Sequence, residues 1–239
     1  MKFNTVLTLV IFLAATFSTA VAQHNTLTEQ EKEEGWQLLF DGESTSEWRG
    51  YNKETFPDQG WIVENGILSV VEGGGGGDII TREVYEDFIL KLEWRAAKGA
   101  NGGIFYAGLE QQDEPIYWSA PEIQILDNAN HPDANQGENG NRKATSLYDL
   151  IPADPQNANP FGEWNRITIE VTGNGAHVEH WMNGQKVVEY ERWTDEWYEM
   201  INNSKFALHP EFGAAHKGHI GLQDHGNRVD FRNIKIKVL

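Results

Sequence analysis

Cysteine is absent from the 239 residues. That excludes disulfides, thiolate metal sites, a cysteine nucleophile and a lipoprotein anchor. Basic residues are scarce: 19 Lys plus Arg stand against 36 Asp plus Glu, a formal charge of −17. Nucleic-acid binders and proteins that dock on anionic lipid show the opposite balance, so both classes are disfavoured. Internal repeats and an interdomain linker are also missing. What the chain does have is aromatic side chains, 11% of the residues and nine of them Trp. Acidic disordered tails are poor in aromatics, so this composition points to a packed domain.

The N-terminus reads as an address label. Met1-Lys2 is a short positive start, Val6 to Ala15 is apolar, and Ser18-Thr19-Ala20-Val21-Ala22 ends in an Ala-x-Ala pattern before Gln23. This is the pattern of a secretory signal peptide over residues 1–22. The apolar run is short for a membrane span and no basic stop-transfer flank follows it. The expectation is a mature chain working in a periplasm or outside the cell, with no membrane insertion once the signal is removed. Residues 23–34 form a polar lead-in, frayed or a first short helix, and residues 35–239 a single domain.

The body has the two-residue period of strands. Trp36–Phe40, Ile89–Arg95, Gly103–Tyr106, Glu122–Leu126, Arg166–Val171, Ala176–Met182, Gln185–Tyr190, His219–Gln223 and Arg228–Val238 each alternate or run apolar. Trp61 to Val71 reads as two strands around Glu64-Asn65-Gly66, and Asn183-Gly184 is a second hairpin signal. Thr194–Asn203 is the best helix candidate, opened by Thr194-Asp195. Many short strands with Gly/Asn turns predict an all-β antiparallel sandwich or jelly roll with one short helix. The five glycines Gly73–Gly77 lack the Lys-Ser/Thr and the helix of a phosphate loop, so they read as a flexible loop. Asp127 to Pro160 is long, polar and rich in Asn, Asp and Pro, and loops of that length in compact domains are often functional.

Strand parity selects candidate chemistry, because side chains alternate across a strand. With Ile123 and Ile125 facing the core, Glu122 and Gln124 share the other face. With Ile220 and Leu222 inward, His219, Gln223 and His225 lie together outward. With Leu92 and Trp94 inward, Glu93 and Arg95 face out. An ordinary solvated face carries mostly Lys, Glu and Thr, whereas these carry His, Gln and Arg. Asp224 belongs to the same cluster. Asp127 and His131 add a carboxylate and an imidazole at the start of the long loop. His, carboxylate and amide together form a donor set that suits Ca²⁺, Mn²⁺ or Zn²⁺, although no standard zinc spacing is present. Trp118, beside Tyr117, is a candidate platform for the apolar face of a sugar ring. Tyr148 is a candidate hydroxyl binder or acid.

Five segments in order carry a resemblance: Trp36-Gln-Leu-Leu-Phe-Asp-Gly42 with Trp48, Glu122-Ile-Gln-Ile-Leu-Asp-Asn128, Glu163-Trp-Asn165, His180-Trp-Met-Asn-Gly184, and Gly218-His-Ile-Gly-Leu-Gln-Asp-His225 followed by Phe231-Arg-Asn-Ile234. The chain resembles the 3-keto-disaccharide hydrolase family, which includes 3-keto-glucoside 1,2-lyases and 3-keto-2-hydroxyglucal hydratases. The resemblance runs from about Gly35 to Leu239. It implies a concanavalin-like sandwich and an exported enzyme acting on an oligosaccharide or glycoside that an upstream sugar 3-dehydrogenase has oxidised at C3. A C3 ketone acidifies the C2 proton, so a base can remove it, an enolate forms, and the C1 oxygen leaves. On that chemistry Glu122 or His219 is the expected base. His225, His180 or a bound metal would stabilise the enolate. Arg95, Gln124, Gln223 and Asp224 would hold hydroxyls, and Tyr148 would protonate the leaving oxygen.

Three other readings are open. A conventional retaining glycosidase on this sandwich carries Glu-x-Asp-x-x-Glu, and this chain has Glu122-x-Gln124-x-x-Asp127, with an amide in the middle. A lectin-like module would bind sugar without turnover. A structural surface protein fits the Trp and His content less well.

Overall fold

The computed structural model describes residues 24–239, so the expected signal segment lies outside the described residues. A short helix α1 (Glu29–Glu33) leads in, closed by a capping box between Thr28 and Glu31. Thirteen strands follow: β1 (Trp36–Leu38), β2 (Trp48–Gly50), β3 (Trp61–Glu64), β4 (Ile67–Val70), β5 (Ile79–Thr81), β6 (Phe88–Ala96), β7 (Asn101–Gly108), β8 (Glu122–Leu126), β9 (Asn165–Thr172), β10 (His177–Met182), β11 (Gln185–Glu191), β12 (His219–Leu222) and β13 (Val229–Val238). Helix α2 (Asp195–Asn202) lies between β11 and β12.

The strands form an antiparallel β-sandwich. One sheet has eight strands in the order β11-β10-β9-β6-β13-β4-β3, with β1 added on β13; the other has five in the order β2-β5-β12-β7-β8. The alternation of β6 shows how the sequence builds it. Phe88, Leu90, Leu92, Trp94 and Ala96 are buried between the sheets, while the residues between them are half-buried on the outside. Each large apolar side chain so buried contributes roughly 1.5–3 kcal/mol. The hairpin between β3 and β4 turns on Asn65 and Gly66, both with positive φ, as a two-residue turn of matching twist requires.

Helix α2 is one residue shorter at each end than the sequence pattern suggests, because Thr194 is its cap and accepts from Trp197 N at 3.2 Å. Trp197 and Ile201, four residues apart, bury one face. Strands β2 and β5 escape a periodicity reading because three residues are too few to show one. The glycine run differs from the expected flexible loop. A methyl on Gly76 would meet Gln59 O at 2.5 Å and the Trp61 ring at 2.8 Å, and Gly77 N donates to Asp224 Oδ2 at 3.0 Å. These glycines allow a close backbone approach to the turn before β3. Among the described residues no helix is long and apolar enough to cross a membrane.

Candidate active site

The five-stranded sheet carries the site on the face turned away from the core. Ile104 and Tyr106 of β7, Ile123 and Ile125 of β8, and Ile220 and Leu222 of β12 belong to the core. Strand alternation puts Asn101, Gly103 and Phe105, Glu122 and Gln124, and Gly221 and Gln223 on the opposite face. Register aligns them in rows. Gln124 pairs with Gly103, whose carbonyl accepts from Gln223 N at 3.0 Å; Glu122 pairs with Phe105, which pairs with Gly221.

This face is not a solvated one. Both β7 and β8 are buried along their whole length. One end is covered by an apolar cluster of Ile80, Phe105, Ile116 and Ala120. At the other end the long polar segment after Asp127 folds back along β8. Thr145 N donates to Gln124 O at 2.7 Å, Gln124 N to Ser146 O at 3.1 Å, and Tyr148 N to Glu122 O at 2.9 Å. The result is a cavity of about 290 Å³. That is roughly ten water volumes, space for one monosaccharide ring. Glu122, Gln124, Gln223, His225, Tyr148 and Trp118 line it, together with Asn101, Tyr117 and Lys205.

Glu122 is the one carboxyl residue in that lining and is 7% exposed. Burial pushes its pKa up to about 8; Lys205 opposes the shift, and the negative charges of Asp78 and Asp133 add to it. At neutral pH the resting carboxyl therefore carries its proton. Gly103 makes the space for it. A methyl at Gly103 would overlap Glu122 Oε1 and lie 2.9 Å from its Cδ and Cγ. Gln124 and Gln223 are both buried, and each has an amide oxygen with no hydrogen-bond partner. These oxygens are acceptors waiting for donors, which sugar hydroxyls supply.

The aromatic wall is braced from behind. Tyr148 donates its hydroxyl to Asp133 Oδ2 at 3.1 Å, and burial raises its pKa, so it stays a phenol. Arg142 binds Asp149 at 2.6 Å and Asp133 at 3.1 Å. Trp118 lies flat against His209, with centroids 3.7 Å apart and 3° between planes, so one face of that ring is already covered. His225 is exposed at the mouth, and its ring is 6.4 Å from that of His131. His131 accepts from Asp133 N at 3.2 Å through Nδ1, and burial lowers its pKa.

Comparison with known proteins fits this arrangement. A family described as 3-keto-alpha-glucoside-1,2-lyase-like domain matches residues 35–237. The chain belongs to that family. A 3-keto-disaccharide hydrolase of Bacteroides thetaiotaomicron is 43% identical over 232 residues, spanning 86% of this chain and 79% of that protein. A crystal structure from Parabacteroides distasonis, provisionally described as a glycosyl hydrolase, superposes with a TM-score of 0.82 at 31% identity and covers 91% of this chain and 100% of its own. A second from the same organism, described in the same way, has a TM-score of 0.67 at 28% identity and covers 85% and 99%.

Five of the candidates read from the sequence lie away from the cavity of this family member. His219 is on the same sheet face but at the far end, beyond the Phe105–Ile116 cluster; its Nδ1 donates to Thr81 O at 2.7 Å and its charged neighbours are Arg49 and Glu110. Arg95 is on the other sheet, paired with Asp230 at 2.6 Å and stacked on Trp164. Asp127 pins its own turn, accepting from Gly99 N, Ala129 N and Asn130 Nδ2. Asp224 does the same for Gly77 N and Gly226 N. His180 is in the core with Nδ1 3.1 Å from Thr145 O, and burial lowers its pKa to about 4. His219→Gln is expected to keep turnover of a keto-glycoside within about threefold of wild type, since the ring is out of reach; a loss on the scale of a missing base, about 10²-fold or more, would return it to the site.

His180 has a consequence for stability instead. Its folded pKa lies below the ordinary value, so the unfolded chain binds the extra proton between pH 6.5 and 4. Stability from this group is present above pH 6.5 and lost as pH falls toward 4, at up to about 1.4 kcal/mol per pH unit. His180→Gln should flatten that part of the curve, measured as urea midpoints at pH 6.5 and 4.5.

Two other features are open to a ligand on composition. A wider groove of about 1070 Å³ crosses the outer face of the eight-stranded sheet, with Trp164 and Trp181 in its lining. Its Arg166 is 3.3 Å from Glu93, Lys235 pairs with Glu31, and Lys91 sits 4.5 Å over Trp36. Among the described residues, one His/carboxylate group closes to metal-binding distances: His177, Glu179 and Glu189, with ligand atoms within 4.8 Å of one another. It is on β10 and β11, and Lys186 already bridges the two glutamates at 3.0 and 2.6 Å. In the cavity, the ligand types a metal could use are Glu122, His225 and the amide oxygens of Gln124 and Gln223. Of the lining residues that parity did not select, Asn101 was legible, since it is two residues before Gly103 on the same face. Lys205 was not. It follows α2 in a segment of turns with no period.

Proposed function

We propose that this protein cleaves glycosides already oxidised at C3, by elimination across C1–C2 followed by addition of water. One observation carries the reading: the cavity offers a single carboxyl group, kept protonated, among amides and an imidazole. Hydrolysis of an unoxidised glycoside ordinarily uses two carboxyl groups flanking the bond. Here Gln124 occupies the place of a second acid on β8, and Asp127 is spent on its own turn. Elimination next to a ketone needs only one base and one acid, and Glu122 rests in the acid form.

In this reading the terminal ring sits in the cavity, its hydroxyls donating to Gln124 and Gln223. The His225 imidazole takes the C2 proton, and the electron pair forms the enolate across C2 and C3. The enolate returns its pair to restore the C3 carbonyl and make a C1=C2 double bond, and the C1–O bond breaks. Glu122 gives its proton to the departing oxygen. The 3-keto-2-hydroxyglucal that remains takes up water. Glu122, now a carboxylate, removes a proton from the water that attacks C1, and the His225 imidazolium returns a proton to C2. Both groups are reset, and the net change is hydrolysis. The N-terminal leader pattern supports export, and a sugar 3-dehydrogenase upstream would supply the ketone.

The test is turnover of a 3-keto-glucoside beside its unoxidised parent, each with and without EDTA, with C2 followed by NMR in D₂O. The expected result is cleavage of the keto sugar alone, with label at C2. Cleavage of the parent would overturn the reading in favour of a conventional glycosidase. Binding without turnover of either would leave a lectin-like module. Loss of activity with EDTA would mean that the reaction also requires a metal.

A further inference from the structure

The elimination needs something to carry charge at the C3 oxygen while the C2 proton is gone. Lys205 is the one cationic residue in the cavity lining. Its ammonium is not held as surface lysines usually are. Nζ rests 4.2 Å over the Tyr148 ring and 5.1 Å from the Phe206 ring. The nearby acids are already engaged: Arg142 binds both Asp149 and Asp133, and the other oxygen of Asp133 accepts from Tyr148. Among the described residues no carboxylate comes within ion-pair distance of Lys205, and none of its three N–H groups is hydrogen-bonded. Glu122 acts on it through space without a direct contact.

A cation held by ring faces keeps its donors free. The residue as a whole is exposed, yet its charged end is desolvated, which lowers its pKa. Desolvation makes a charge a stronger partner for a developing oxyanion. The bracing of Tyr148 by Asp133 and Arg142 then has a purpose: it fixes the ring on which the ammonium rests.

Resting on the elimination reading above, we propose that Lys205 is a catalytic residue whose ammonium donates to the C3 carbonyl oxygen of the substrate and stabilises the enolate. No covalent bond to Lys205 forms. The C2 proton goes to His225, the electron pair moves onto the C3 oxygen, and the Lys205 N–H groups shorten their hydrogen bonds to it. The pair returns when the C1 oxygen leaves.

The experiment separates this step from bond cleavage. The wild-type protein, Lys205→Met and Lys205→Arg are incubated in D₂O with 1,5-anhydro-3-keto-glucitol, which has no exocyclic leaving group at C1, and separately with a 3-keto-glucoside. Deuterium entry at C2 reports enolate formation alone. Lys205→Met is expected to lower exchange and cleavage together by about 10²–10³-fold, the size of a lost oxyanion donor, with KM changing less than threefold. Lys205→Arg keeps the charge and should recover at least about tenfold of the loss. Exchange by Lys205→Met within threefold of wild type would overturn the role while leaving the elimination reading intact. A borohydride-reduced sugar adduct on Lys205 would also overturn it, because it would mean an iminium in place of an ammonium contact. A wild-type protein that neither exchanges nor cleaves would sink the elimination reading, and this role with it.

Discussion

Glu122→Gln is expected to stop release of the aglycone while leaving proton exchange at C2 in place. Removing a general acid costs about 10²–10⁴-fold in the step it serves. The exchange step uses His225 and Lys205 and should stay within a few-fold of wild type. The same substitution separates chemistry from folding. Gln keeps the shape of the side chain and the neutral form in which Glu122 already rests, so the cavity should be unchanged. Equal loss of exchange and cleavage would mean that Glu122 is the base, as one of the two sequence-based options has it. Unchanged cleavage would remove it from the mechanism.

The pH dependence has a definite sign. Burial holds the Glu122 pKa at about 8, well above the ordinary carboxylate value of 4.5. The acid form needed for leaving-group protonation is present below pH 8, so kcat/KM should fall as pH rises through that value. Stability runs the same way. Between pH 4.5 and 8 the folded protein holds a proton that the unfolded chain releases, so this group's contribution is full below 4.5 and is lost by pH 8, at up to about 1.4 kcal/mol per pH unit. Glu122→Gln has no such penalty. Its urea midpoint should equal that of wild type at pH 4 and exceed it at pH 8. A residue that weakens the fold where it works is a mark of function over packing.

The strand framework was legible because its signals are local. Alternation in β6, β8 and β9 and the Asn-Gly turns depend on neighbouring residues and on a two-residue period. Parity then found Glu122, Gln124 and Gln223 on one face, since a strand fixes which side each residue takes. It could not say where along that face a residue sits. His219 and Gln223 have the same parity, yet they belong to opposite ends of the sheet, separated by the Phe105–Ile116 cluster. What lies beside each of them is set by pairing with β7, a long-range fact. Arg95 shows the second limit: its parity is outward, but outward from the other sheet. Burial shows the third. Glu122 reads as one acid among many, and only the long-range packing around it, the fold-back of Thr145 to Tyr148 over β8 included, dries its surroundings and changes its proton affinity. Lys205 and Tyr148 meet across 57 positions of chain through side chains alone, and nothing local announces such a pair.

Gly103→Ala should remove most activity without replacing any group that reacts. Gly103 is in the middle of β7 with ordinary extended pairing to Gln124, so the backbone itself makes no demand for glycine. The demand comes from Glu122, whose carboxyl lies over the Gly103 Cα. A methyl there would overlap Oε1 and crowd Cδ and Cγ. The end of a glutamate is mobile, so the clash is relieved by swinging the carboxyl aside, and the strand remains paired. Alanine also fits a strand at least as well as glycine does. The thermal midpoint should therefore move by only a few degrees. Activity is another matter, because a proton donor displaced by about 1 Å can cost on the order of 10²-fold. The predicted variant has a near-normal melt, near-normal C2 exchange and cleavage reduced about 10²-fold. Its alkaline limb should shift toward lower pH, since the displaced carboxyl reaches water and its pKa falls back from about 8. A Gly103→Ala protein with wild-type cleavage and an unshifted limb would show that the carboxyl does not need the position it holds over β7, and would weaken the case for Glu122 as the acid.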